Sequence, residues 1–140
     1  MSVKIAFATT DRKVVDQHFG AAEAFAIFEV AEDGARLVEI AEFMETAMDG
    51  HEGKLAGKIA LLDGCAGVYC NAVGASAVQQ LLAKGIQPLK VEEGTSIETV
   101  LLGLRANLLL DPPPWMAKYL KRQHTNGARF ASMAEEGWDE

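Results

Sequence analysis

The sequence predicts an α/β domain built on a mixed five-stranded sheet. Three strand-like segments come first, within residues 3–43, and no helical spacing interrupts them. From residue 55 onward, helical and strand-like segments alternate. Strands joined by short turns pair antiparallel, whereas strands joined through a helix run parallel with a right-handed crossover. The order of the segments therefore predicts an antiparallel meander of three strands followed by a parallel half.

The first half of the chain has the composition of three strands. Apolar residues alternate with other residues across positions 3–8, which predicts a strand with one apolar face. Positions 23–30 are apolar nearly throughout, as in a strand buried on both faces. After a Glu-Asp-Gly turn, positions 36–43 alternate again. The apolar face of the first strand is predicted to carry Val3, Ile5 and Phe7.

The second half alternates helices with strands, because apolar residues change between helical and extended spacing. Gly64 and Gly85 are placed to end two helices, since glycine adopts the left-handed conformation common there. Pro88 predicts that the last strand lies at a sheet edge or carries a bulge. In order, the predicted elements are a helix over Leu55, Ile59 and Leu62, a strand at 66–71, a helix at 76–84 and a strand at 86–91.

A third helix and a C-terminal helical arm complete the prediction. Thr-Ser-Ile-Glu at residues 95–98 fits a capping box, and apolar residues on one helical face follow it. Asp111 and three prolines stop this helix, and Asp111 is placed to cap a short new one whose first turn tolerates proline. The tail holds both tryptophans but has too little apolar content for a core of its own. We therefore expect a domain at residues 1–110 and an appended arm at residues 111–140.

The composition narrows the classes of function. A net charge of −7 argues against nucleic acid as a partner, because phosphate binding needs clustered lysine and arginine. No apolar run reaches the roughly 18 residues of a membrane span. The N-terminus lacks the pattern of a secretory signal, and two closely spaced cysteines suit free thiols in a reducing compartment. We expect a cytoplasmic protein.

The loop of residues 14–20 is the strongest candidate for a site, and it allows two interpretations. In the first, His18 lies in an ordinary surface turn and Gly20 takes a positive φ. In the second, the imidazole of His18 is an iron ligand, which neutral imidazole suits well. Asp16 is then close enough in sequence to hold the other ring nitrogen, and Phe19 shields one side from water.

Basic residues and cysteines complete the list of candidates. Arg12 and Lys13 precede the loop and would offset the negative charge of a bound anion. Cys65 lies between a helix and a strand, where loops present ligands at the end of a sheet, although free cysteines usually pack as small apolar residues. Cys70 lies inside a strand, where we expect such packing. Two cysteines are too few for an iron–sulfur cluster owned by the protein, so a cluster would arrive already assembled.

The sequence favours binding over catalysis. It has no Gly-x-Ser-x-Gly elbow, and its glycine-rich stretch at residues 64–67 lacks the Lys-Ser/Thr of a phosphate-binding loop. An acid–base pair of Asp16 and His18 remains an alternative that needs a substrate pocket. The order of elements resembles the ribonuclease H-like architecture. Nucleases of that architecture carry an aspartate in the first strand, whereas residues 3–8 here hold no carboxylate.

One stretch also resembles a known family. Residues 4–30, which place Val-Asp-Gln-His-Phe-Gly between two strands, are similar to the dinitrogenase iron–molybdenum cofactor-binding family. The resemblance runs through Cys65, the helix start at residues 73–77 and the strand at residues 86–91, and so covers most of residues 3–110. In the tail, Asp-Pro-Pro-Pro-Trp and the later Glu-Glu-Gly-Trp narrow it to one member of the family.

The resemblance implies a non-catalytic nitrogenase cofactor carrier in nitrogen fixation. Its cargo would be the iron–sulfur precursor made by NifB, bound transiently, together with later forms passed on by the NifEN scaffold. The family's histidine ligand falls on His18, and Cys65 occupies the place of a cysteine that recurs in relatives. Relatives often have Gly-Gly-Pro-Ala-Ala where residues 74–78 read Gly-Ala-Ser-Ala-Val, a departure that puts backbone contacts there in doubt. We expect a monomer. The alternative is a cluster-free factor that docks on NifEN or on apo-nitrogenase through its Trp115–Trp138 arm.

Overall fold

The computed structural model of the protein describes residues 2–43 and 51–123. Its main sheet has five strands in the order β4-β3-β1-β5-β6. β1, β3 and β4 pair antiparallel, while β5 and β6 run parallel to β1. This confirms the predicted mixed sheet. The strands are β1 (Ser2–Ala8), β2 (Val14–Val15), β3 (Ala24–Ala31), β4 (Gly34–Glu42), β5 (Gly67–Cys70), β6 (Gln87–Lys90) and β7 (Thr95–Ser96).

The helices cover both faces of the sheet. Within the described residues they are α1 (His51–Leu61), α2 (Ala75–Ala83), α3 (Ile97–Leu110) and α4 (residues 114–123). None of these helices is long and apolar enough to cross a membrane. Two hydrophobic clusters result, one on each face, and the central strand β1 supplies both. As predicted, its residues Val3, Ile5 and Phe7 share one cluster, while Ala6 and Ala8 belong to the other.

Two glycines follow helices and one proline lies in an edge strand, as the sequence predicts. Gly64 and Gly85 follow α1 and α2 with φ values of +87° and +77°, the left-handed conformation that ends a helix. Pro88 lies in β6, which forms an edge of the sheet and pairs with β5 alone. An edge strand tolerates proline because the missing N–H can face outward.

The short strands β2 and β7 were not predicted, and they pair with each other outside the main sheet. Val14 and Val15 pair with Ser96 and Thr95 as a separate two-stranded sheet. Ser96, and not Thr95 as the capping box implied, is the N-cap of α3, and its side chain accepts the N–H of Thr99 at 3.3 Å. Strands of two residues carry no periodic signal, so the pairing that draws Thr95 out of the helix is invisible in the sequence.

The C-terminal arm begins differently from the prediction. Asp111 ends α3 rather than capping the next helix, which begins at Pro114 with Pro113 accepting the N–H of Ala117 at 2.9 Å. The described part of the arm packs on the domain. Met116 is fully buried in the cluster that contains β1 and α3, and Trp115 packs against Gly67. Residues 124–140, including Trp138, lie outside the described part of the chain.

The burial of Met116 predicts that α4 supports the whole domain. Met116→Ala should lower the free energy of unfolding by about 2–5 kcal/mol, the usual cost of truncating a buried methionine. Urea unfolding followed by circular dichroism measures it. Lys118→Ala, an exposed position on the same helix, is the matched control and should change little. Equal stabilities of the two variants would mean that α4 is an independent arm.

Candidate functional site

The loop that carries His18 is fastened to the chain that leaves β5. The N–H of Asn71 donates to the carbonyl of Gln17 at 2.9 Å, and the N–H of Phe19 donates to the carbonyl of Ala72 at 2.8 Å. These two bonds lie on either side of His18. Because β5 ends at Cys70, they place the histidine at the carboxyl end of the parallel strands, where α/β sheets commonly bind ligands.

The residues after His18 anchor the loop to the hydrophobic core. Phe19 is fully buried, and its ring lies 5.5 Å from that of Phe25. It begins a short 3₁₀ turn (Phe19–Ala21) whose first two carbonyls accept the ammonium of the buried Lys58. His18 itself is exposed. Phe19 therefore acts as an anchor in the core that holds an exposed imidazole in place, and it does not form the predicted shield over the site.

The exposed imidazole borders a shallow cavity of about 520 Å³. Its walls come from the chain after β5 and from the chain after β6, which runs beside it. The charges around the cavity are mixed, with one lysine and two glutamates. The lining residues are His18, Asn71, Lys90, Val91, Glu92 and Glu93. Among the described residues, no group of three or more histidine, cysteine, aspartate or glutamate side chains could hold a metal ion.

Asp16 makes different contacts from those predicted. Its two carboxylate oxygens accept the N–H and the hydroxyl of Thr10. These bonds close the loop between β1 and β2, so the carboxylate of Asp16 organises the backbone of this loop. The structure therefore does not pair these two residues as the sequence suggested.

Arg12 and Lys13 lie in a tight turn before the site. The carboxylate of Asp11 accepts the backbone N–H groups of Lys13 and Val14 at 2.8 and 3.1 Å, and these bonds lower the pKa of Asp11. Arg12 has a φ of 67°, a conformation that glycine usually takes. Gly20 is not among the residues with positive φ in the described chain, so that expectation was wrong. Arg12 lines a different cavity, with Phe28 and Leu101, and not the one beside His18.

Cys65 lies at the other end of the sheet from His18. It precedes β5, whereas His18 is bonded to the chain that follows β5. The six residue steps from Cys65 to Asn71 span at most roughly 20 Å, at about 3.3 Å for each extended residue. Cys65 is also buried, and desolvation raises the pKa of its thiol to about 12. The structure therefore does not bring the two predicted ligands together.

Asn71 is a residue of this site that the sequence did not reveal. Its side-chain amide donates to the carbonyls of Val15 and Val91, each at 3.1 Å. Together with its backbone bond to Gln17, it joins three segments that are far apart in sequence. Asn71 is the last residue of the strand predicted at 66–71, and only the contacts identify its partners.

The chain resembles proteins of one family along nearly its whole length. The family described as "Dinitrogenase iron-molybdenum cofactor" matches residues 1–107. Protein NifX of Azotobacter vinelandii is 50% identical over 141 residues, covering 99% of this chain and 88% of that protein. Protein NifX of Sinorhizobium fredii is 33% identical and covers 85% of this chain and 78% of its own length. NifX is the member to which the tail residues pointed, so that resemblance is confirmed.

Two other matches are to one part of a longer protein and to a solved structure with a similar fold. The FeMo cofactor biosynthesis protein NifB of Frankia alni is 32% identical over 80% of this chain, which spans 22% of that protein. A solved structure from Methanocaldococcus jannaschii, provisionally described as a dinitrogenase, superposes with a TM-score of 0.56 at 13% identity. It covers 77% of this chain and 92% of its own. At that identity the likeness concerns the fold alone.

The buried thiols predict a loss of stability in alkali. Desolvation raises the pKa of Cys65 to about 12 and that of Cys70 to about 11, against an ordinary value of 9.0. Above about pH 9 the unfolded chain releases these protons while the folded chain keeps them, so the free energy of unfolding falls by about 1 kcal/mol or more per thiol. Urea unfolding at about pH 8 and about pH 10.5 measures the fall. Between these two pH values, Cys65→Ala should show a smaller fall in the free energy of unfolding than the unaltered protein. A fall of the same size in both proteins would contradict the prediction.

Proposed function

The chain belongs to the dinitrogenase iron–molybdenum cofactor family, and on that premise we propose that it carries the iron–sulfur precursor of this cofactor during its biosynthesis. The observation that supports a carrier is the state of His18. The imidazole is exposed and its backbone is bonded on both sides, so a ligand reaches it without a rearrangement of the loop. The protein binds and releases the precursor and catalyses no reaction.

The sparse surroundings of His18 suit a carrier. A resident metal is usually held by three or four side chains, whereas no such group exists within the described residues. One imidazole on an open cavity gives a bond that a receiving protein can displace. Lys90 attracts an anionic cluster while Glu92 and Glu93 repel it, which keeps the affinity moderate. Moderate affinity allows transfer.

NifB supplies the precursor in this proposed transfer and the NifEN scaffold receives it, with the chain acting as a monomer in the cytoplasm. Ligation is assigned to His18. Cys65 is left out of this site because it is buried at the opposite end of β5.

Removing the imidazole tests the proposal. The protein is mixed anaerobically with the iron–sulfur product of NifB, passed through gel filtration and assayed for iron per chain. The unaltered protein should retain iron, and His18→Ala should retain at least about tenfold less, since even groups that only support a metal ligand cost that much when removed.

The matched control is Cys65→Ala, which removes the other predicted ligand. This variant should retain as much iron as the unaltered protein, because its thiol is buried away from the cavity. Loss of iron in Cys65→Ala with retention in His18→Ala would reverse the assignment. If both variants retain iron, the cavity beside His18 is not where the precursor binds.

The second candidate is a cluster-free factor that docks on NifEN or on apo-nitrogenase. A separate observation favours it. Leu102, Leu109 and Leu110 on α3 are 56%, 64% and 80% exposed, and exposed leucines at helical spacing are typical of a docking face. Trp115, in contrast, packs on the domain and is not free to act as an arm.

Leu109→Glu tests whether the α3 face docks on NifEN, and iron retention separates the two candidates. A charge there should weaken co-elution with NifEN by roughly tenfold or more if the α3 face docks, because the charge would be buried without a partner. Lys118→Glu, on exposed α4 surface, is the control. The carrier proposal expects Leu109→Glu to retain iron. A protein that binds NifEN but never retains iron would establish the docking factor instead.

A further inference from the structure

We infer that Asn71 is the residue that orients the imidazole of His18, by accepting its ring N–H on Oδ1 when the other ring nitrogen meets the cargo. The inference rests on the proposed function, because it assumes that His18 binds the cluster. It assigns to Asn71 the supporting role that the sequence suggested for Asp16. In this structure both carboxylate oxygens of Asp16 bind Thr10 instead.

The backbone places the two residues side by side. The bonds from Asn71 to Gln17 and from Phe19 to Ala72 lie on either side of His18 and hold the two chain segments together. His18 and Asn71 also line the same cavity.

The amide of Asn71 can present only its oxygen. Both Nδ2 protons are used, one by the carbonyl of Val15 and one by the carbonyl of Val91, each at 3.1 Å. Turning the amide over would set Oδ1 against two carbonyl oxygens, which repel it. The carbonyls of Val15 and Val91 therefore fix the orientation of the amide, and Oδ1 points away from them.

That oxygen is a buried acceptor without a donor. Among the described residues, Oδ1 of Asn71 has no hydrogen-bond partner, and it is hidden from solvent. Burying an unpaired acceptor is unfavourable, so structures seldom keep one without a use. A neutral imidazole has one N–H and one lone pair. If Oδ1 accepts the N–H, the lone pair is presented to the metal, which is the arrangement that metal-binding histidines adopt.

Comparing an acceptor with a non-acceptor at position 71 tests this role. Asn71→Leu removes the oxygen and both donors, whereas Asn71→Asp keeps an acceptor, replaces the donors with a second oxygen and adds a negative charge. Both variants should lose the bonds to Val15 and Val91 and unfold at lower temperatures than the unaltered protein. Cargo affinity should separate them. Retained iron, titrated with the NifB product, should show about a 10- to 100-fold weaker affinity for Asn71→Leu and a nearly unaltered one for Asn71→Asp.

Combining variants distinguishes the inference from the function on which it rests. In a His18→Ala background, Asn71→Leu should weaken binding no further. If both Asn71 variants weaken binding equally, Asn71 has only a structural role and the inference is overturned, while loss of iron in His18→Ala still supports the carrier. If His18→Ala retains its iron, both fail. Should Asn71→Leu not fold, Asn71→Ala gives the same comparison with less bulk.

Discussion

The candidate site depends on one piece of backbone pairing, in which the loop before the 3₁₀ turn joins the chain that leaves β5. Two hydrogen bonds make this joint, from Asn71 to Gln17 and from Phe19 to Ala72. They use backbone groups that would otherwise be unpaired where the strand ends, and so stabilise both segments. The buried ring of Phe19 and the ammonium of Lys58 hold the same loop from the core side. As a result, an exposed histidine sits on a well-supported backbone.

The two ends of the parallel strands have different chemistry. At the carboxyl end, the cavity beside His18 is open, polar and bordered by charges of both signs. At the amino end, Cys65 is buried, and desolvation keeps its thiol protonated at neutral pH. A protonated, buried thiol is a poor metal ligand. Within the described residues, the carboxyl end of the strands therefore presents the imidazole of His18 to solvent, whereas the thiol at the amino end is buried.

The fold could be predicted from the sequence because its signals are local and regular. Alternation in β1, glycines after α1 and α2 and the proline in β6 each depend on the conformations that single residues allow. The features that the sequence left open or missed depend on partners distant in sequence. Met116 looked like part of a sparse arm, yet the face of β1 and α3 completes its surroundings. The cap of α3 moved to Ser96 because Thr95 pairs with β2.

By itself, the sequence determined the mixed sheet, the family and the loop in which His18 lies, since each is written in the order and type of neighbouring residues. Only the tertiary structure decided which groups surround that histidine. It turned Asp16 toward Thr10, put Cys65 at the far end of β5 and brought Asn71 beside the loop. The physical reason is that hydrogen bonding and burial are satisfied across the whole fold, so the neighbours of a side chain come from strand pairing and not from proximity in sequence.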